Sequence, residues 1–182
     1  MMKTVDYLIS LCTLVLLGAC GQSSIETTFA SQSDKIDTYV SNQLTNHPEY
    51  LAVYDQGVVR LIVAEGEGAE AVKGGKVTFY YAAYNFNNTS ISAGSLIATN
   101  DADIAAAANW PLSDTTLFVP ATVTLGKDKL IPGLEIGLTG VKPGEDSYIL
   151  FSGIHGFGKR QIGTIPANAA ICYHVRIEDT EN

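Results

Sequence analysis

The hydrophobic pattern changes character three times along the chain. Leu8 to Leu17 is an almost unbroken apolar run, and Gly21 to Ser31 is small and polar. Ile36, Tyr39, Val40 and Leu44 then recur at helical spacing. Ser31 with Asp34 three residues later fits a capping box, and Asn46-His47-Pro48 is a stop, so a helix is predicted over 31–44. A helix of that length is marginal alone, so its stripe must dock on the domain C-terminal to it. From Val58 the period shortens. Strands are predicted at 58–63, 76–81, 119–125, 147–151 and 170–177, on β-branched and aromatic runs separated by Gly-rich or Asn-rich turns. An Ala-rich stretch, 101–109, predicts a short helix stopped by Pro111. Leu130 to Leu138 predicts a second, amphipathic and entered through Pro132. Helix, strands, short helix, strands is an α+β order with an antiparallel sheet, and it lacks the alternation of βαβ units.

Composition narrows the class. The chain has 182 residues, 46% apolar and 16% charged, with net charge −8. This is globular, and the acidic balance opposes general binding to nucleic acid. The first apolar run is a secretory h-region too short to span a bilayer comfortably. It ends in Leu17-Gly18-Ala19-Cys20, which resembles the bacterial lipobox. That resemblance implies cleavage before Cys20, acylation of its thiol, and a lipid-anchored protein of the bacterial cell envelope, periplasm-facing or on the outer membrane. The expected organisation is a signal peptide at 1–19, a flexible spacer at 20–32, a helical extension at 33–57 and a domain at 58–180 with an insertion at about 101–118. Of Cys12, Cys20 and Cys172, only Cys172 would keep a free thiol, so no internal disulfide is expected. It sits in an apolar strand pattern and reads as a small core residue.

Nucleotide-binding, metalloprotease, serine-hydrolase and dithiol signatures are all missing. The histidines at 47, 155 and 174 are scattered, and His174 reads as a surface residue of its strand. No metal and no cofactor is expected.

Four segments, in order, resemble the FKBP-type peptidyl-prolyl cis-trans isomerases. They are Gly74-Gly75-Lys76-Val77-Thr78-Phe79-Tyr80-Tyr81; Leu125-Gly126 through Leu130-Ile131-Pro132-Gly133-Leu134-Glu135-Ile136-Gly137-Leu138; Val141-Lys142-Pro143-Gly144-Glu145 running on to Gly156-Phe157-Gly158; and Ile165-Pro166-Ala167-Asn168 through Tyr173-His174-Val175. The resemblance spans about residues 58–178. It implies a twisted antiparallel sheet wrapped around one short helix, here 130–138. It also implies an enzyme that needs no nucleophile, metal or proton donor. The barrier at an Xaa-Pro bond, roughly 18–20 kcal/mol, is lost amide resonance. A site lowers it by binding the twisted amide better than either planar form.

Carried over by position, Tyr81 forms one wall of the proline pocket, and Leu130 and Ile131 lead into the short helix. The Ile131 N–H would hold a substrate carbonyl. Leu134 is the floor, Phe157 falls at the loop tyrosine, and Ile165 and Tyr173 close the far side. Tyr81, Ile131, Phe157 and Tyr173 are the expected catalytic positions; Ile97, Leu130, Leu134 and Ile165 are the expected substrate-binding ones. Two positions depart from the pattern. Ile97 and Ala98 stand where the family has an aromatic residue and a carboxylate, and Phe157 lacks the tyrosine hydroxyl. Losing two polar groups costs about 1–3 kcal/mol of transition-state stabilisation. Two readings result. One is an isomerase, slow for its family, acting on Xaa-Pro segments of unfolded exported proteins. The other is a weak or inactive relative that binds such segments as a chaperone or protein-binding module. The insertion, which carries Trp110, would add pocket walls or cover the site.

Overall fold

The computed structural model describes residues 3–87 and 90–182, with side chains from Ser24 onward. The acylation expected at Cys20 and the Asn88 end of the turn after Phe86 lie outside what is described. The chain folds as helix α1 (Lys3–Asn46), strands β1 (Leu51–Asp55), β2 (Val58–Ala64), β3 (Lys76–Asn85) and β4 (Leu96–Thr99), helix α2 (Ala102–Ala107), strand β5 (Ala121–Thr124), helix α3 (Pro132–Leu138), and strands β6 (Asp146–Phe151) and β7 (Ile171–Glu181). The strands form one antiparallel sheet in the order β1-β2-β6-β7-β3-β4, with β5 also paired to β3. Its spine is the long β3–β7 ladder, from Lys76 opposite Glu181 to Asn85 opposite Ile171.

Strand alternation sends side chains to two cores. Along β7, Ile171, Val175 and Ile177 enter a core with Val77, Phe79, Ile149, Phe151 and the α3 residues Leu134 and Leu138. Cys172 and its neighbours Ala82, Tyr84 and Leu150 enter a second core on the opposite face, closed by Ile36, Tyr39 and Val40 of α1. The Tyr39 and Phe86 rings meet edge to face at 5.4 Å. Cys172 is fully buried there, as its apolar setting predicts.

Three packing details seat α3. Gly133 faces the Phe151 ring and Gly137 faces Ile149, so the helix lies against β6 at a distance that admits no side chain. Arg60, in the middle of β2, donates to the carbonyls of Gly137 at 3.2 Å, Thr139 at 3.0 Å and Gly140 at 3.2 Å. These are carbonyls at the end of α3 and just beyond it, where the last turn of any helix lacks partners. The Arg60 Nε stands 3.5 Å from buried Glu145, which also accepts from the Ser147 hydroxyl.

The N-terminal region differs from expectation in three ways. Residues 20–32, expected to be a flexible spacer, are helical, and Ser31 is no N-cap. The hydroxyls of Thr28 and Ser33 bond the carbonyls of Ser24 and Phe29 one turn back, which satisfies these polar groups inside a helix. Ile25, Phe29 and Gln32, all half-buried, extend the docking stripe of Ile36, Tyr39 and Val40. The helical extension expected over 33–57 ends at Asn46, and Leu51–Asp55 instead forms the edge strand β1. Its turn, Gln56-Gly57, has positive φ at both residues (47° and 81°), as a two-residue hairpin of primed type requires. His174, expected at the surface of its strand, is half-buried. It stacks on Tyr148 at 4.5 Å and its Nε2 lies 2.7 Å from Asp146. Among the described residues, no helix is long and apolar enough to cross a membrane.

Candidate active site

The residues expected to form the site meet on the α3 face of the sheet. Leu134 and Ile165 are buried in that core, and Tyr81, Ile97, Leu130, Ile131, Phe157 and Tyr173 pack against its outer side, each half-buried. The rings of Tyr81 and Tyr173 lie 5.9 Å apart, and Tyr173 stacks on Phe151 at 6.3 Å. Phe151 in turn is the residue under Gly133, so the close seat of α3 fixes the aromatic floor. Burial pushes the Tyr173 hydroxyl up to about 12, with Tyr81 adding to the shift, so it stays a neutral hydrogen-bonding group throughout the physiological range.

Tyr81 is held at an interruption of the sheet. β5 pairs the first part of β3 up to Phe79, and β4 pairs it again from Ala82. Asn100 and Thr99 fill the gap. The Tyr81 N–H donates to Asn100 Oδ1 at 2.6 Å, and the Tyr81 carbonyl accepts from the Thr99 hydroxyl at 2.7 Å and the Asn100 N–H at 3.2 Å. Asn100 Nδ2 also donates to Phe79 O and Val119 O, which ties the returning insertion to β3. Sequence reasoning overlooked Asn100. Its signal, a lone Asn after a strand, is indistinguishable from turn chemistry.

Ile131 is the N-cap of α3, with extended backbone angles (φ −69°, ψ 143°), and its carbonyl accepts from Leu134 and Glu135. Its own N–H bonds no acceptor among the described residues, which leaves a donor directed away from the helix at the rim of the cluster. Pro132 at the first helical position contributes no competing donor.

The polar side of the site is sparse. Ala98 lies opposite Ala83 in the ladder. The nearby buried carboxylate, Asp101, is committed elsewhere: it caps α2 through the N–H groups of Asp103 and Ile104 and pairs with Arg176. Arg176 lies over the Tyr80 ring at 5.5 Å, and Asp101 therefore leaves the aromatic cluster without a charge. Within the insertion, Ile104 of α2 packs on the second core, on the other face of the sheet from the cluster. Beside Ile97 there opens a cavity of about 300 Å³ lined by Asn85, Ser92, Ser95 and Thr164. Among the described residues, no group of His, Cys, Asp and Glu is arranged to hold a metal.

Residues 113–178, from the end of the insertion through most of β7, match the family of FKBP-type peptidyl-prolyl cis-trans isomerases. The chain is 25% identical over 121 residues to FK506-binding protein 1 of Aspergillus oryzae, covering 66% of this chain and 96% of that one. It is 28% identical over 114 residues to an FK506-binding protein of Neisseria meningitidis, covering 62% and 86%. Its fold is similar to the N-terminal domain of FKBP42 from Arabidopsis thaliana, with a TM-score of 0.54 and 21% identity over 72% of this chain and 93% of that one. It is also similar to FkpA from Escherichia coli, with a TM-score of 0.56 and 16% identity over 100% and 74%. The matched segment contains α3, the Phe157 loop and Tyr173, on the same sheet face where Tyr81 and Ile97 complete the apolar cluster. The family match over residues 113–178 and the two FK506-binding relatives together support an FKBP-type peptidyl-prolyl cis-trans isomerase domain in this chain.

Proposed function

We propose that the protein isomerises Xaa-Pro bonds of exported proteins, tethered to the bacterial envelope through an acylated Cys20. The observation that carries the reading is the half-buried cluster of Tyr81, Ile131, Phe157 and Tyr173 around Leu134, with the unpaired Ile131 N–H at its rim. The apolar walls desolvate the proline ring, and a twisted amide, stripped of resonance, fits a dry surface better than a planar one does. Ile131 supplies a donor for a carbonyl next to the reacting bond. Ile97, Leu130 and Ile165 bound the surface and select the residue before proline. Charge plays no part, in keeping with the commitment of Asp101 to Arg176.

The neutral surroundings of Ala98 and Phe157 also favour a second reading, in which the same surface captures apolar segments without turning them over. A protease-coupled assay on residues 21–182 separates the two. The isomerase should act slowly, and Ala98→Asp with Phe157→Tyr should raise kcat/KM about tenfold or more. Tyr81→Ala should abolish the rate. A wild-type rate equal to the uncatalysed one, unrestored by the double replacement, leaves the capture reading. Membrane attachment is tested separately: Cys20→Ser should release soluble protein, and an unmodified Cys20 in mass spectra refutes the anchor.

A further inference from the structure

We propose that Gln32 of α1 is a positioning residue for this site, clamping the neck of the loop that carries Phe157 and Ile165. The inference rests on the isomerase reading for its kinetic arm only. The loop leaves β6 at Gly153 and rejoins the sheet through Asn168. Both ends bond the same carboxamide: Gln32 Nε2 donates to the Asn168 carbonyl at 2.7 Å, and the Gly153 N–H donates to Gln32 Oε1 at 2.9 Å. One planar side chain thus supplies the donor that one loop end needs and the acceptor that the other needs, which Gln does and neither Glu nor Leu can do at neutral pH.

The neck is otherwise a contact of backbone on backbone. A methyl group at Gly153 would lie 2.8 Å from Asn168 Cα and closer still to its carbonyl. Asn168 itself has φ 57°, and its N–H donates to Gly158 O at 2.6 Å. Neither Gly153 nor Asn168, the two residues that cross, carries an apolar side chain to hold the neck shut. The closure comes from a helix 121 and 136 positions away, seated by Ile36, Tyr39 and Val40 in the second core. One turn along α1, Lys35 donates to Asn87 O at 3.0 Å, which ties the segment after β3 to the same helix. A helix on the far face of the sheet therefore holds in place the loop that carries two walls of the site, Phe157 and Ile165. Loop walls that touch the proline ring do so in the planar and the twisted states alike. Loosening them reduces the fraction of competent protein, which raises KM and leaves kcat in place.

The test uses the full chain with Gln32→Leu, Gln32→Glu and the control Ser33→Ala, whose hydroxyl bonds only within α1. Amide hydrogen exchange and isomerisation kinetics are read on each. Gln32→Leu should speed exchange of residues 153–168 about tenfold relative to β3 and β7, and raise KM about five- to tenfold with kcat within twofold. Gln32→Glu keeps the acceptor for Gly153 but sets a carboxylate against the Asn168 carbonyl. Compared with the wild type at the same pH, its loop should exchange fast at pH 7 and return toward the wild-type rate below about pH 4, where a carboxyl of ordinary pKa is protonated and again donates. Ser33→Ala should change neither readout. Unchanged loop exchange in Gln32→Leu, a rise spread evenly over the whole sheet, a loosened loop with unaltered KM, or a Gln32→Glu defect that acid does not relieve would each overturn the proposal. If the wild type fails to isomerise, the activity reading falls, while the exchange results still decide the clamp.

Discussion

Replacing Gly133 by Ala tests the seat of α3 directly. An added Cβ would stand 2.6 Å from Phe151 Cδ2 and nearer still to two other ring carbons. Carbon atoms in contact want about 3.5–4.0 Å, so helix or ring must move by about 1 Å. Phe151 has no room to yield: it is fully buried and stacked on Tyr173. Overpacking of this kind costs about 1–3 kcal/mol. Against it stands the helical preference of Ala over Gly, at most about 1 kcal/mol and less in a first turn. The net expectation is a loss of about 1–2 kcal/mol, or roughly 2–8 °C in Tm for a chain of this size. Urea denaturation followed by circular dichroism measures it, with an unchanged slope as evidence that the folded state stays compact. Gly94→Ala is the control, because the nearest atom there is 3.9 Å away and the backbone is unstrained. The discriminating variant is Gly133→Ala made in a Phe151→Leu background. Removing the ring removes the obstacle, so the Ala should become neutral or stabilising, with a coupling of about 1 kcal/mol or more. A Gly133→Ala protein as stable as the wild type, or a cycle without coupling, would mean that α3 does not lie on Phe151, and the aromatic floor would then be misassigned.

Buried polar groups give further expected outcomes. Arg60→Met strips the end of α3 of three donors and leaves Glu145 buried beside no cation, so it should cost about 3–5 kcal/mol in urea denaturation; Glu145→Gln added to it should recover part of the loss, and a single variant within 1 kcal/mol of wild type contradicts the arrangement. Burial pushes Tyr148 and Tyr173 up to about 12, and Cys172 also upward. Their neutral forms are favoured in the folded state. Stability should therefore hold below about pH 8.5, where the unfolded Cys172 thiol begins to ionise, and fall more steeply as pH rises past about 10, where unfolded tyrosines ionise, toward 12. Tyr148→Phe should flatten that decline in urea midpoints measured between pH 9 and 11.5, and an unaltered slope refutes its share.

What the residue pattern determined alone was local. The change from helical to strand spacing at Val58, the proline-led helix at 132 and the stripe of Ile36, Tyr39 and Val40 all come from which residues share a face, and one chain segment is enough to define a face. The apolar half of the site was legible for a related reason. Tyr81, Ile131, Leu134 and Tyr173 sit at regular positions in elements with clear periods, and the resemblance of their order to a family supplied the partners across the sheet. The tertiary structure alone decided what those faces meet. β1 carries too short and too exposed a pattern to announce itself, and it exists because β2 offers an unpaired edge. The helix runs on through 20–32 because Ile25 and Phe29 lengthen the docking stripe, where composition alone suggested a flexible spacer. Asp101 lies close to the site in sequence, but its pairing with Arg176 turns it away. Arg60, Asn100 and Gln32 were invisible for one physical reason. A hydrogen bond between a side chain and a backbone group 19 to 136 positions away leaves no periodic trace in either segment, because it satisfies a polar group that only the folded chain brings within reach.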